Sequence, residues 1–533
     1  MDKVVGIDLG TTFSAIAHIN GDTGRPEVIP DPETQERITP SVVLFDDAEN
    51  VIVGRVAKEN AVAEPGKVVE FVKREMGKPK GDPPAGWCFK LGGKEYGAQE
   101  ISAFTLKKLK QDAQNRLGQP ITRAVITVPA YFGEPQRAAT AEAGRIAGLE
   151  VMAILDEPVA SALAYGLDRL DRDQTVFVFD LGGGTFDVVV IEIKGKGLRE
   201  IAINGDHLLG GKDWDDAIIK YVASEFRAQH GASPMDDLAS YQDLQLRAIR
   251  AKEELTRRDK SKIVANYQGN SSTVELTRAK FEEITQDLVQ RCRSLCDVVL
   301  TEAQKTWADI DTILLVGGST RMPMIASMVR EISGKEPTTE LNPDECVALG
   351  AAWHAVMLQM QTGAGAVAAR AEWEVKNPSL VKKLQEVHVR TVLAHDLGVI
   401  ALDESRRKRS FLMLAKHTPV PCEKTDTFAT VEDGQRVALL QVTEGGLYLS
   451  GADCDPNDCG VLGEVSITEI PPCPAGSPIE VTYRFSEDKT LEVTGRHVAS
   501  GKSARAEIKH PGGLTEEEMA EAQRLMQKTT VTS

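Results

Sequence analysis

Val4-Val5-Gly6-Ile7-Asp8-Leu9-Gly10-Thr11-Thr12 opens the chain, and Val176-Phe177-Val178-Phe179-Asp180-Leu181-Gly182-Gly183-Gly184-Thr185 repeats its grammar far downstream. Each is an apolar run rich in β-branched residues, then an Asp, then glycine, then Thr. An apolar run bounded by glycine predicts a buried strand that ends in a tight turn. The glycines let backbone N–H groups approach an anion closely, and the Thr hydroxyls add donors. An Asp at the strand end can face a hydrated divalent cation. One such stretch alone would pass for an ordinary strand and turn. Two in one chain predict a duplicated fold that grips a polyphosphate from both sides.

The rest of the chain frames this reading. At 533 residues it exceeds what one core usually serves, so several domains are expected. A formal charge of −17 disfavours a general nucleic-acid binder, because phosphate backbones repel an acidic surface. No stretch is long and apolar enough to span a bilayer, so no membrane partner is expected. Met1-Asp2-Lys3 runs straight into the first strand without an apolar leader, which predicts no secretory signal and a cytoplasmic protein. Eight cysteines are scattered. Cys292 and Cys296 sit one helical turn apart and read as core. Cys454 and Cys459, with Cys473 beyond, could bind metal or form a disulfide, but their spacing matches no strong zinc pattern. Loop thiols without a function are the favoured reading.

To about Met360, strands alternate with helical stretches, as in an α/β architecture. Residues 124–129 read as a strand stopped by Pro129. Helices are predicted over 136–148, 243–256, 278–303 and 323–332, and a glycine-ended strand over 313–318. Residues 362–371 are rich in Ala and Gly. Residues 372–389 are charged, with no obvious core face, and read as a linker or short interdomain helix. From about Thr391 the texture is all-β. Strands over 436–442, 479–485 and 490–494, with a turn at 486–489, predict a sandwich of roughly a hundred residues. The basic run Arg406-Arg407-Lys408-Arg409 reads as a solvated loop. Thr515 with Glu518 forms a capping box, ahead of a short apolar face on Met519, Ala522, Leu525 and Met526. A polar tail over 529–533 closes the sequence.

Several phrases resemble the seventy-kilodalton heat-shock chaperones of the DnaK type. They include Gly6 to Thr12, Thr127-Val128-Pro129-Ala130-Tyr131-Phe132, Glu157-Pro158, and Ala164-Tyr165-Gly166-Leu167-Asp168. They continue with Asp180 to Asp187, Gly205-Asp206, Leu209-Gly210-Gly211, Val316 to Pro323, and Asn342-Pro343-Asp344-Glu345. Ile470-Pro471-Pro472 and Ser500-Gly501-Lys502 carry the likeness into the β-rich region.

The resemblance implies an actin-like ATPase domain of two duplicated lobes over 1–360 and an interdomain linker over 361–391. A β-sandwich substrate-binding-type domain over 392–511 and a short helix over 512–533, the remnant of a lid, would follow. It implies ATP or ADP with Mg²⁺, and K⁺ as a candidate second ion, between the lobes. Gly10, Thr11, Thr12, Phe13, Gly182, Gly183, Gly184 and Thr185 would cradle the phosphates. Lys252, Thr256, Gly317, Gly318, Ser319, Arg321 and Asp344 would line the adenosine side. Asp8 and Asp180 would hold the metal ion through water. Lys73 would be the catalytic lysine, with Glu157 orienting water, Asp187 near the attacking water, and Asp180 and Thr185 completing the catalytic set. Phosphoryl transfer needs charge neutralisation and positioning more than covalent help, which gives a lysine in this role its sense. Val399, Leu402, Phe428, Val431, Ala438 and Leu440 would line a peptide groove, with Leu402 and Val431 arching over it. Read without the resemblance, the same six are sandwich core.

The implied activity is ATP hydrolysis coupled to binding and release of unfolded or extended apolar peptide segments. A J-domain co-chaperone and a nucleotide-exchange factor would be partners. The competing reading is a nucleotide-gated binding module or scaffold with slow regulatory hydrolysis. Of the departures from the family pattern, Ala153, the polar 386–391 stretch and the short lid motivate the competitor, while Phe13, Ile249 and Glu253 bear on nucleotide contacts. Phe13 stands where Tyr or Asn is usual, Ile249 replaces a common Glu, Glu253 replaces a residue often apolar or basic, and Ala153 stands where bacterial members carry Arg. The stretch Glu386-Val387-His388-Val389-Arg390-Thr391 is polar for a docking strand. The sequence stops within the first lid helix, which predicts fast client exit.

Overall fold

The computed structural model describes residues 3–46, 50–84, 86–169, 172–338, 340–361, 366–446, 453–486, 490–508 and 513–533. The predicted turn at 486–489, apart from Ser486, and the first part of the Ala/Gly-rich stretch lie outside the described residues, as does the junction at 511–512.

Both quoted phrases are strands at the heart of a sheet. Lys3–Asp8 runs parallel to Ile121–Val128, which is parallel to Glu150–Asp156, and turns antiparallel into Phe13–Ile19. Gln174–Leu181 runs parallel to Thr312–Val316 and turns antiparallel into Phe186–Lys194 and then Gly197–Asp206. In each case an Asp stands at the end of the first strand or one residue before it, and a glycine-Thr turn leads into the second. Val176 to Leu181 are buried on both faces, which is why they read as a continuous apolar run. Helices Glu157–Gly166 and Cys346–Gln361 pack between the two sheets. Small residues make that approach feasible. A Cβ on Gly350 would strike the Ala160 backbone, and one on Gly6 would strike the backbone of Ala351 and Ala352.

The predicted helices exist with altered ends. The first runs Glu134–Ile146, because Pro135 is tolerated in a first turn that needs no N–H donor. The second begins earlier, at Leu238, where Asp237 accepts from the Ser240 N–H as a cap. The segment 278–303 is two helices, Arg278–Ile284 and Gln286–Glu302. They break at buried Thr285, whose hydroxyl donates to the Phe281 carbonyl.

The charged stretch has a core face after all. Ala366–Lys376 and Pro378–Gln385 bury Ala369, Trp373, Leu380, Val381 and Leu384. After them, His388–Arg390 adds a parallel strand to Gly197–Asp206. The polar side chains that argued against docking matter little here, since a backbone ladder does the pairing. Flanking Val387 and Val392 are buried, and Lys196 pairs with Glu386 at 2.5 Å.

Two sheets make the β-domain. One orders Asp453–Cys454, Lys408–Leu414, Leu397–Leu402, Ala438–Glu444 and Gly460–Ile467; the other orders Cys422–Ala429, Pro478–Phe485, Leu491–His497 and Ser503–Glu507. Their inner faces share one core, where the Tyr483 hydroxyl donates to the Gly398 carbonyl at 2.7 Å. In the basic run Arg409 pairs with Asp453 at 2.6 Å, and Arg406 and Arg407 stand exposed. Cys292 and Cys296 are core. The Cys454 and Cys459 sulfurs lie 3.1 Å apart. Among the described residues no helix is long and apolar enough to cross a membrane.

The capping box at Thr515 and Glu518 starts helix Glu516–Lys528. The polar tail is not merely a tail. Thr530–Thr532 is a strand, parallel to Asn50–Val53.

Candidate functional site

The turns after Asp8 and Asp180 meet. A Cβ on Gly183 would collide with the Thr12 side chain, and one on Gly184 with Thr11. Gly210 lies equally close against Gly183 and Gly184, and the Gly211 and Lys212 N–H groups donate to the Gly182 and Gly183 carbonyls. The two loops therefore form one floor, which only glycine permits. Above it opens a cavity of about 690 Å³.

That cavity collects most of the residues singled out in the sequence. Asp8, Gly10, Thr11, Thr12, Phe13, Lys73, Glu157, Asp180, Gly182, Gly183 and Thr185 line it. So do Lys252, Thr256, Gly317, Gly318, Ser319, Arg321 and Asp344, with Ile249 and Glu253. Gly184 and Asp187 stand behind the wall rather than in it. Gly317 adopts φ 81°, a left-handed conformation, and a Cβ there would strike the Leu181 carbonyl. The Ser319 hydroxyl donates to the Gly182 carbonyl at 2.8 Å, and Arg321 pairs with Asp344 at 2.6 Å.

The polar end is crowded with buried negative charge. Lys73 Nζ lies 2.5 Å from Glu157 Oε1, both nearly sealed from solvent. Burial, then repulsion from Glu157, pushes the Asp8 carboxyl up to about 7. The same causes push Asp187 to about 8 and raise Asp180 well above the usual carboxylate range. Asp187 is also held by the Tyr131 N–H at 3.0 Å. The Asp180 and Asp187 Oδ2 atoms are buried without a hydrogen-bond partner. Four carboxylates around one buried lysine, two with orphaned oxygens, fit a bound cation. Among the described residues no three His, Cys, Asp or Glu groups close around a common point.

Sequence reasoning missed several neighbours. Phe71, at φ 59°, caps the short helix Val72–Glu75 and so turns Lys73 inward. Lys58 lies 5.0 Å over the Phe13 ring and lines the cavity with Phe71. Arg74 donates to the Gly184 carbonyl at 2.9 Å and pairs with Asp213. Lys252 is held by buried Asp215 at 2.8 Å. Only the adjacency of Arg74 to Lys73 signalled any of this in the sequence.

The six groove candidates do not share one environment. Val399, Ala438 and Leu440 are buried in the sandwich core, Phe428 is half-buried against Phe411, and Leu402 and Val431 are exposed.

The description of the Hsp70 protein family matches residues 4–532. The chain belongs to the Hsp70 family. It is 39% identical over 524 residues to the chaperone protein DnaK of Thermotoga neapolitana, covering 97% of this chain and 82% of that relative. An Hsp70 fold accounts for the mixed α/β region followed by a β-sandwich, and the Asp8 and Asp180 turns lie within the matched span.

Proposed function

We infer that this Hsp70-family protein is an ATP-dependent molecular chaperone, an ATPase whose nucleotide state sets its hold on unfolded peptide segments. The family membership and the identity to a DnaK chaperone support the activity. In this reading the two sheet units are duplicated actin-like lobes within 1–360, 361–391 connects them to the β-domain, 392–511 binds client, and 512–533 is lid-derived. The cytoplasm is its proposed compartment.

When bound, magnesium ATP supplies the transferable phosphoryl group. Asp8 and Asp180 hold the ion through water, and the Gly10–Thr12 and Gly182–Thr185 turns donate N–H and hydroxyl groups to phosphate oxygens. Lys73, oriented by Glu157, sets positive charge where negative charge develops. Asp187, next to the cavity lining and with Oδ2 unpartnered, would assist near the attacking water.

One observation carries the coupling. The Tyr131 N–H donates to Asp187, while its carbonyl accepts from His395 Nε2 of the β-domain at 2.9 Å. The His395 and Tyr131 rings also meet edge-on at 4.5 Å. Nearby, Glu444 of the β-domain accepts from the Glu134 N–H at 3.0 Å, capping the helix that begins there. One residue thus touches both the catalytic carboxylate and the client domain. A J-domain co-chaperone and a nucleotide-exchange factor are its proposed partners.

The test is the affinity of a labelled unfolded apolar peptide in ATP and in ADP. Tighter binding in ADP is expected. Equal affinity in both states would contradict the reading; ATP hydrolysis that apolar peptide leaves unchanged favours the second reading, a nucleotide-gated scaffold with slow regulatory hydrolysis and a specialised partner, which the enclosure of Val399, Ala438 and Leu440 supports.

A further inference from the structure

The stretch Asp453–Gly460 in the β-domain carries two cysteines that the cleft chemistry does not use. Cys454 lies in the short edge strand Asp453–Cys454, which pairs with Lys408–Leu414 at two positions, Ser410 with Cys454 and Phe411 with Asp453. Cys459 stands just ahead of Gly460–Ile467, the strand at the opposite edge of the same sheet. Between them Pro456–Asp458 forms one 3₁₀ turn, capped by Asp455, whose carboxylate accepts from the Asn457 N–H at 2.9 Å. The Cys459 N–H donates to the Pro456 carbonyl at 3.2 Å and closes the turn. Arg409, on the paired strand, holds Asp453 at 2.6 Å. The turn so fixed brings Cys454 Sγ and Cys459 Sγ within 3.1 Å. Cys454 is buried and Cys459 is half-buried.

We propose that Cys454 and Cys459 form a redox-modification site, a dithiol that closes to an internal disulfide by exchange with a low-molecular-weight disulfide and reopens in excess thiol. Exposure sets the order of events. Cys459 is the reachable sulfur, so its thiolate attacks one sulfur of the incoming disulfide, forming a mixed disulfide and releasing one small thiol. Cys454, already in contact, then attacks the Cys459 sulfur and displaces the second small thiol. One small disulfide is reduced to two thiols while two protein thiols are oxidised to one disulfide, and the two cysteine protons leave on the released thiols. The sulfurs have roughly 1 Å to close, a movement on the scale of side-chain rotation. The bond closes a loop of only six residues, which makes it a switch rather than a staple. The unfolded-state entropy that a crosslink removes grows with loop length, so this one adds little to global stability. Its effect is local: it fastens a two-residue edge pairing that frays when the thiols are open. The strand it adjoins reaches the ATPase region, since Gly460 pairs with Glu444, which caps the helix beginning at Glu134. Cys292, Cys296 and Cys346 are sealed in the core, out of reach of a small disulfide. The site does not depend on the chaperone reading.

Treating the reduced full chain with oxidised glutathione, then digesting it without reductant for mass spectrometry, tests this. The peptide spanning 453–460 is expected to lose two hydrogens and to regain them in excess dithiothreitol. Cys454→Ser should halt the reaction at a glutathione adduct on Cys459. Cys459→Ser should leave the buried Cys454 a thiol. In the oxidised chain, hydrogen–deuterium exchange at 410–411 and 453–459 should slow by about threefold or more. A peptide mass that the treatment leaves unchanged would overturn the proposal. So would an adduct on Cys459 of the unaltered chain that never resolves, a bond from either cysteine to Cys422 or Cys473, or an internal bond that dithiothreitol leaves intact. Exchange that oxidation leaves unchanged would remove the fastening of the edge strand, and with it the switch. These readouts involve neither nucleotide nor client, so peptide affinity that proves independent of nucleotide would sink the chaperone reading and leave the dithiol standing.

Discussion

Replacing Lys73 by Ala separates the chemistry from nucleotide binding. In the structure Lys73 Nζ lies 2.5 Å from Glu157, turned inward by the left-handed Phe71, and is the buried cation among Asp8, Glu157, Asp180 and Asp187. Its removal has two consequences of different size. A preorganised positive group is lost where phosphoryl charge develops, and removing one such donor typically costs about 10²–10³ in rate, or roughly 3–4 kcal/mol. Breaking a buried ion pair ordinarily destabilises a fold by about 3–5 kcal/mol. That cost is smaller here, since Asp8 and Asp187, already pushed to about 7 and 8, can take up a proton in place of the lost charge. The proposed phosphate floor is backbone and Thr hydroxyl, and the proposed adenosine contacts at Lys252, Thr256 and Arg321 are untouched by the substitution, so ATP affinity should change by less than about tenfold. Single-turnover hydrolysis of labelled ATP, beside calorimetric binding, reads both quantities. Near-normal single-turnover hydrolysis in Lys73→Ala would refute the reasoning.

Three further outcomes follow from the same geometry. Gly183→Val drives side-chain atoms into Thr12 and should abolish ATP binding in calorimetry, while circular dichroism shows a folded chain with a stability loss of about 1–3 kcal/mol. His395→Ala removes the β-domain side of the Tyr131 junction. It should leave basal ATP hydrolysis intact and weaken its stimulation by peptide about fivefold or more, a coupling of at least about 1 kcal/mol; unchanged stimulation would remove His395 from the pathway. Burial pushes the His354 imidazole down to about 4, and its Nδ1 has no partner, so the fold holds it neutral. The unfolded chain takes up that proton near pH 6.5. Stability is therefore complete above about pH 6.5 and declines as pH falls toward 4, by at most about 3 kcal/mol for this half-buried residue. Urea titrations should show the slope shrink in His354→Leu.

The strands, their glycine turns and the site they build were legible because local chemistry dictates them. An Asp followed by glycines after a doubly buried strand has few other uses, and Asp8, Asp180, Gly183 and Lys73 do line one cavity. What stayed hidden depends on tertiary contact. Trp373 and Leu384 face the core, but their charged neighbours masked the pattern. The docking of His388–Arg390 rests on backbone pairing, which side-chain polarity does not report. Thr530–Thr532 is too short and polar to announce a strand, and only the exposed edge of Asn50–Val53 makes it one. Asp215 behind Lys252, and Arg74 beneath Gly184, are partners that no spacing rule foretells.

ATP hydrolysis measured under single-turnover conditions, with and without an unfolded apolar peptide, bears most directly on the claim that this cleft drives the β-domain. The account predicts hydrolysis in the chain alone and a faster rate when peptide is present. No hydrolysis, or a rate that peptide leaves untouched, would contradict it.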